Sequence, residues 1–287
     1  MPPRVSSYYT RDIVAVRPNE NLAHVRKLML RYDIGRVIVV DEEDKPVGII
    51  TLSDLINALM GKYSHRPINT LTAKDVMTPN PKTITPRKSI KNAAHIMTRF
   101  NIGGLPVVSD EGTLIGIITR TDLTRAYADH YKGAYKVGDL AREIYAKADP
   151  YHAIFHVARL AMLDPAGKVV VVDSDGKPIG IITRRDLAFA NIPLETRLTR
   201  GKDRYRKVKK PDYLGRDKIV ALREYLVPLA RDIMTEDPIT IRPDVDAAEA
   251  ARIMVTNGIG SLIVVDEEGR ATGLVTKREI VKAIASL

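Results

Sequence analysis

The sequence predicts an α/β protein made of four tandem copies of one β-α-β-β-α unit, and three observations carry that expectation. An octet recurs, as GIITLSDL at 48–55, GIITRTDL at 116–123, GIITRRDL at 180–187 and GLVTKREI at 273–280. The recurrence keeps a register: Pro18, Pro86, Pro150 and Pro243 precede the octet threonines Thr51, Thr119, Thr183 and Thr276 by 33 residues each. Inside that register, helical spacing gives way to strand-like runs at the same places in every copy.

The elements follow in order. Each copy opens on a short β-like run ending at the proline: VAVRP, TITP, AKADP or TIRP. Apolar residues then fall four, seven and ten positions on, as Leu22, Val25, Leu28; Ile90, Ala93, Ile96; Ile154, Val157, Leu160; and Ala247, Ala250, Ile253. That spacing is one stripe of an amphipathic helix. Seventeen after the proline stands Gly35, Gly103, Gly167 or Gly260, expected as a left-handed helix stop. The runs RVIVV, GLPVV, KVVVV and SLIVV follow, each joined to its octet through DEEDK, SDEGT, DSDGK or DEEGR. Strand, acidic or glycine turn, strand reads as a hairpin. The octet then runs into a second helix.

One such unit buries too little surface to stand alone, so pairing is expected. The leaders KDVMTPNP and RDIMTEDP match, with Met77 and Met234 nine before their prolines, which predicts two pairs, repeats 1 with 2 and 3 with 4. The expected boundaries are 7–62, 70–131, 135–190 and 228–287. Between the last two lies a basic insert, 191–227, whose end places Ile219, Leu222 and Leu226 at helical spacing.

Composition narrows the function. The 287 residues are 45% hydrophobic, enough for a core, and no apolar run approaches 18 residues. No apolar signal region opens the sequence, so a cytoplasmic protein is expected. Without cysteine, disulfides, thiolate catalysis and cysteine-bound zinc are excluded. The absence of glutamine and tryptophan, with 28% charged residues, suggests a heat-adapted source. Net charge is +10, and residues 195–218 hold ten Lys/Arg against four Asp/Glu. The chain should therefore favour anionic partners, and one segment supplies most of the excess.

The octet's corner, Thr-x-x-acid, has two readings. The plainer one is structural: the threonine caps the second helix and the acid completes a capping box. The functional one uses the same geometry. A helix N-terminus offers free N–H donors to phosphate oxygens, while a carboxylate accepts from two vicinal hydroxyls. Together they describe a ribose carrying a phosphate.

The pattern DVMT…TITP…GGLPVV…GIITRTDL resembles the CBS domain, and two in tandem resemble a Bateman module. Four in one chain resemble the nucleotide-sensing gamma subunit of AMP-activated protein kinase and archaeal proteins built like it. The resemblance implies that the acid grips the ribose diol and the preceding hydroxyl sits near phosphate. Thr51, Ser53 and Asp54 then form one site, and Thr119, Thr121 and Asp122 a second; these two match the family pattern best. The third corner keeps Thr183 and Asp186 but has Arg185, which either binds phosphate or fills the pocket. The fourth, Thr276, Arg278 and Glu279, carries an extra methylene and is expected to be empty or altered. Arg36 and Lys168, at strand starts in the odd repeats, point to phosphates in the gamma-like proteins; otherwise they are exposed strand-start residues. The histidine that adjoins them in the family is replaced by Gly35 and Gly167.

No constellation for bond chemistry is found, so no enzyme, no metal and no cofactor are expected. His152 and His156 lie four apart but lack a third ligand. The expected function is sensing of AMP, ADP or ATP between paired repeats, with signalling to a protein partner and a homodimer as further expectations. S-adenosylmethionine is a rival ligand. The alternative class is a nucleic-acid-associated protein using the insert 197–216, where Lys/Arg interleave with Tyr205 and Tyr213. No membrane association is expected.

Overall fold

The computed structural model describes residues 3–190 and 227–287; the basic stretch 197–216 and the helix expected around Ile219, Leu222 and Leu226 lie outside them. Repeat 1 runs β1 (Ala15–Val16), α1 (Leu22–Arg31), β2 (Arg36–Val40), β3 (Pro46–Thr51) and α2 (Leu52–Met60). Repeat 2 begins with a leader, α3 (Ala73–Val76) and β4 (Thr78–Pro79), then α4 (Ile90–Arg99), β5 (Gly104–Val108), β6 (Leu114–Thr119) and α5 (Arg120–His130). Repeat 3 has α6 (Val137–Leu140), β7 (Ala146–Ala148), α7 (Ile154–Leu163), β8 (Lys168–Val172), β9 (Pro178–Thr183) and α8 (Arg184–Phe189). Repeat 4 has β10 (Thr235–Glu236), β11 (Thr240–Ile241), α9 (Ala247–Thr256), β12 (Ser261–Val265), β13 (Ala271–Thr276) and α10 (Lys277–Ser286).

The hairpins share one register. Arg36 pairs with Thr51, Gly104 with Thr119, Lys168 with Thr183 and Ser261 with Thr276, so the strand-start residue always faces the corner threonine. Each hairpin carries a bulge at its last pair, and each turn puts one residue at positive φ: Asp44, Gly112, Gly176 and Gly269. Such a turn-plus-bulge is a common hairpin closure.

Two expectations need correction. The first helices bury the residues four, seven and eleven after the proline, ending at Met29, Met97, Ala161 and Met254. Leu28, Ile96, Leu160 and Ile253, at position ten, are only partly buried. Seven residues make almost two full turns of a 3.6-residue helix, whereas six leave the side chain a third of a turn off the face. The glycine seventeen after the proline stops no helix: only Gly167 has positive φ, and it lies three residues beyond the extended helix end at Asp164. In the other repeats positive φ falls two residues earlier, at Asp33, Asn101 and Gly258. Ile34 N–H donates to the Met29 carbonyl and Ile102 N–H to that of Met97, both at 3.0 Å, closing Schellman-type ends before the glycine is reached.

Pairing is reciprocal. The leader of repeat 2 pairs with the corner strand of repeat 1, Thr78 opposite Ile49, and Thr10 of the first leader exchanges 2.9 Å backbone bonds with Ile117 of repeat 2. Repeats 3 and 4 do the same, through Thr235 opposite Ile181 and Arg142 opposite Leu274. A Cβ on the octet glycine would run into that leader: Gly48 into Met77, Gly180 into Met234, and Gly116 into Tyr9 and the Thr10 carbonyl oxygen. The octet glycine is there because the partner's chain lies against it.

Helices join the pairs. One core gathers repeats 2 and 4 around Leu105, Tyr127 and Leu262, together with Val5 and Val137 from the leaders of repeats 1 and 3. The other gathers repeats 1 and 3, with Leu71, Ala73 and Ala230 from the remaining leaders. Every repeat is thus strand-paired to one neighbour and core-packed with another, so none buries its apolar surface alone.

Candidate functional site

The four repeats surround one cavity of about 1340 Å³, lined by residues from each of them. Its wall holds the complete first corner, Thr51, Ser53 and Asp54, and the complete third, Thr183, Arg185 and Asp186, with Arg36, Lys168 and Arg278. Thr119, Thr121, Asp122, Thr276 and Glu279 are not on it. The sequence ranks corners 1 and 2 together; the tertiary structure opens corners 1 and 3 onto the shared space.

Each corner is a helix N-terminus. At corner 1 the Thr51 N–H and Oγ1 both donate to Asp54 Oδ2 at 2.7 Å, the capping box the sequence predicts. Burial pushes the Asp54 carboxyl up, against the pull of those Thr51 donors. Corner 3 has the Thr183 N–H on Asp186 Oδ2 at 2.7 Å, and the Thr183 hydroxyl oxygen accepts from the Arg185 N–H at 3.1 Å. Arg185 pairs with Asp33 of repeat 1 and lies over the Phe189 ring, so its guanidinium ties repeat 3 to repeat 1 at the cavity edge.

Corner 2 keeps the same box, with Thr119 N–H and Oγ1 at 2.7 Å from Asp122 Oδ2, but Asp122 is only 5% exposed. Lys277 of repeat 4 donates to Thr121 Oγ1 at 3.0 Å. Corner 4 is filled by the protein's own charges, although the buried Arg142 Nε makes an ion-pair contact there without a hydrogen bond. Glu279 is 4% exposed, its Oε1 lying 3.4 Å from Arg142 Nε and 3.5 Å from Arg278 Nη1. The longer side chain accepts from Thr276 Oγ1 but forms no capping box with the Thr276 N–H. Arg142 also binds Asp164 at 3.0 Å, so this corner is an internal ion network.

Positive charge converges on the cavity. Arg36, deep in the molecule, has its guanidinium against Gly103 and Gly104 of repeat 2, where a Cβ would collide with it. Lys168 reaches Gly260 of repeat 4 in the same way. This explains the glycines at 103, 104 and 260 better than helix stopping does. Burial pushes Arg36 down to about 10, offset in part by Asp122. Burial pushes Arg120 to about 10 as well, with Arg36, Arg278 and Arg184 adding to the effect and Glu279 opposing it. Lys168 falls to about 8 through burial, with Lys277 and Arg184 adding and Asp186 and Asp164 opposing. Arg184 donates to the Asp164 carbonyl at 3.0 Å, while its buried Nε has no hydrogen-bond partner. Cations desolvated and crowded by one another favour an anion between them.

Arg120 and Arg184 were not singled out from the sequence. The signal was present: the second corner position reads Leu52, Arg120, Arg184 and Lys277, cationic in three repeats out of four. Lys82, which lines the cavity from the leader of repeat 2 and lies 4.9 Å from the Phe100 ring centre, carried no such pattern. His152 is a local cap, accepting from the Asp149 N–H at 2.9 Å, and no group of three or more metal-ligating side chains occurs among the described residues.

The CBS domain model matches residues 5–61, 73–129, 137–192 and 230–286. The chain belongs to the CBS-domain family. Protein MJ1225 from Methanocaldococcus jannaschii is 28% identical over 288 residues, covering 96% of each chain. Its crystal structure, presented as a proposed archaeal homologue of g-AMPK, superimposes with a TM-score of 0.78 at 26% identity over 97% of this chain and 99% of that one. A conserved protein from Pyrococcus horikoshii shares the fold at TM-score 0.64 and 20% identity, covering 98% of this chain and 99% of that one. An inosine-5'-monophosphate dehydrogenase from Korarchaeum cryptofilum is 32% identical over 170 residues, 59% of this chain but 33% of the enzyme. The four CBS repeats therefore account for nearly all the described structure. No helix among the described residues is long and apolar enough to cross a membrane.

Proposed function

We propose that this four-CBS protein is a cytoplasmic regulatory sensor that binds two adenosine phosphates, drawn from AMP, ADP and ATP, in its central cavity. The observation that carries this reading is the shared space. The Asp54 and Asp186 corners open onto the same cavity as Arg36, Arg120, Lys168 and Arg184. A cavity of about 1340 Å³ exceeds the usual range for one small ligand, roughly 300–1,000 Å³. Each ribose diol would lie on a corner carboxylate, with its phosphate against helix N–H groups and the converging cations. The same cations disfavour S-adenosylmethionine, whose sulfonium would enter an already positive space. Two phosphates change the charge balance at a place where all four repeats meet. Occupancy thereby favours one arrangement of the two pairs over another, which a partner protein reads.

A thermal-shift panel of AMP, ADP, ATP and S-adenosylmethionine tests the reading. Ligand at about one hundred times Kd stabilises by about 2.7 kcal/mol, a rise of roughly 5–10 °C for a chain of this size. An increase with S-adenosylmethionine and none with any adenosine phosphate refutes it.

A further inference from the structure

Corners 1 and 2 carry equivalent residues, Thr51, Ser53, Asp54 and Thr119, Thr121, Asp122, yet only the first lines the cavity. What separates them is a side chain from the other pair. Lys277 is the first residue of α10, whose body packs on α4 and α5 of repeat 2. The equivalent cations stay within their own repeats, Arg120 donating to the Ile102 carbonyl at 3.2 Å and Arg184 to that of Asp164 at 3.0 Å. Lys277 instead crosses to repeat 2, donates to Thr121 Oγ1 at 3.0 Å and lies within electrostatic reach of Asp122. Arg125 stands 3.9 Å from the same carboxylate, and Arg36 is a further charge nearby. Asp122 thus faces three cations of the protein, and the neighbouring Thr121 hydroxyl oxygen already accepts from one of them.

Building on the two-site reading above, we infer that Lys277 is an intramolecular occupant of corner 2, holding the protein at two adenosine-phosphate sites where its motifs would support three. The ammonium takes the place a ligand would need, because it fills the space beside the Thr121 hydroxyl and the Asp122 carboxylate in which a ribose and its phosphate would lie. It comes from repeat 4, so a shift of α10 on α5 would withdraw it and open corner 2. Corner 2 is then a concealed site whose exposure reports the relative position of the two pairs.

Calorimetric titration with AMP tests this on the full chain, comparing wild type with Lys277→Met and Lys277→Arg. Methionine keeps the apolar stem and removes the charge; Lys277→Gln stands in if circular dichroism shows the Met variant unfolded. The expected stoichiometry is two for wild type and for Lys277→Arg, three for Lys277→Met, and two again for Lys277→Met combined with Asp122→Ala. A folded Lys277→Met protein that still binds two AMP overturns the inference while leaving the two-site reading intact. A wild type that binds three overturns it as well, and AMP binding to neither protein overturns both.

Discussion

Asp54→Ala separates the two roles that one carboxylate plays. In the structure Thr51 N–H and Oγ1 donate to Asp54 Oδ2 at 2.7 Å each, so the substitution removes half of a capping box at the start of α2. Losing such a cap costs about 1 kcal/mol of stability. Burial raises the Asp54 carboxyl, so part of that loss is offset by removing a desolvated charge. The net expectation is a melting temperature lowered by only a few degrees at most. Binding should suffer more. Hydrogen bonds to a charged group contribute about 1.5–3 kcal/mol, so AMP affinity at this corner should fall about 10- to 100-fold. Asp186→Ala should do the same at the other open corner, with two-site calorimetry showing one weakened site in each variant and two in the double. The plainer reading of the corner makes the opposite forecast: melting falls, affinity stays. Unchanged AMP affinity in both single variants, with the fold intact, would falsify the assignment of these acids to the ribose.

Three further substitutions test the geometry. Lys168 has its ammonium pushed down to about 8, so AMP affinity should fall as pH rises from 7 to 9.5 and the positive charge is lost; Lys168→Met should bind more weakly at pH 7 and lose this dependence in the same titration. In the unliganded protein the sign is reversed. The unfolded chain holds the Lys168 proton more tightly, so stability rises between pH 8 and the ordinary lysine range near 10.4, a rise denaturant unfolding should find missing in Lys168→Met. Glu279→Gln leaves Arg278 and one edge of Arg142 without their carboxylate, but Asp164 still holds Arg142, so urea unfolding should show a loss of roughly 2–3 kcal/mol with AMP affinity retained. Gly116→Ala drives a methyl into Tyr9 and the Thr10 carbonyl oxygen, so stability should drop by roughly 1–3 kcal/mol and amide exchange should rise at Thr10 and Ile117 together; exchange rising at neither would contradict the strand exchange.

Much of the unit was legible because it rests on local chemistry. A threonine followed three residues later by an acid caps a helix wherever it sits, and the capping boxes at Thr51, Thr119 and Thr183 occur where the octet predicts them. The altered fourth corner was visible too, since a glutamate places its carboxylate farther out than an aspartate does. The helix face was read one position short because apolar residues at both ten and eleven satisfy a helical period, and burial alone separates them. The glycines at 103 and 260 were misread for a related reason. Glycine after a helix commonly marks a left-handed stop, while here it makes room for Arg36 and Lys168 from the paired repeat.

Which corners work is a different kind of question. Thr51-Leu-Ser-Asp54 and Thr119-Arg-Thr-Asp122 are near equivalents in sequence, and nothing within either separates an open corner from a closed one. The 33-residue register, repeated four times, is enough to specify the unit, its capping and its hairpin, because those depend on residues a few positions apart. The partner of each corner comes from far along the chain: Lys277 on Thr121 across 156 residues, Arg142 on Glu279 from another leader, Asp33 on Arg185 from another repeat. Charges brought together only by the packing of four repeats decide where a cavity opens and where the protein fills its own site.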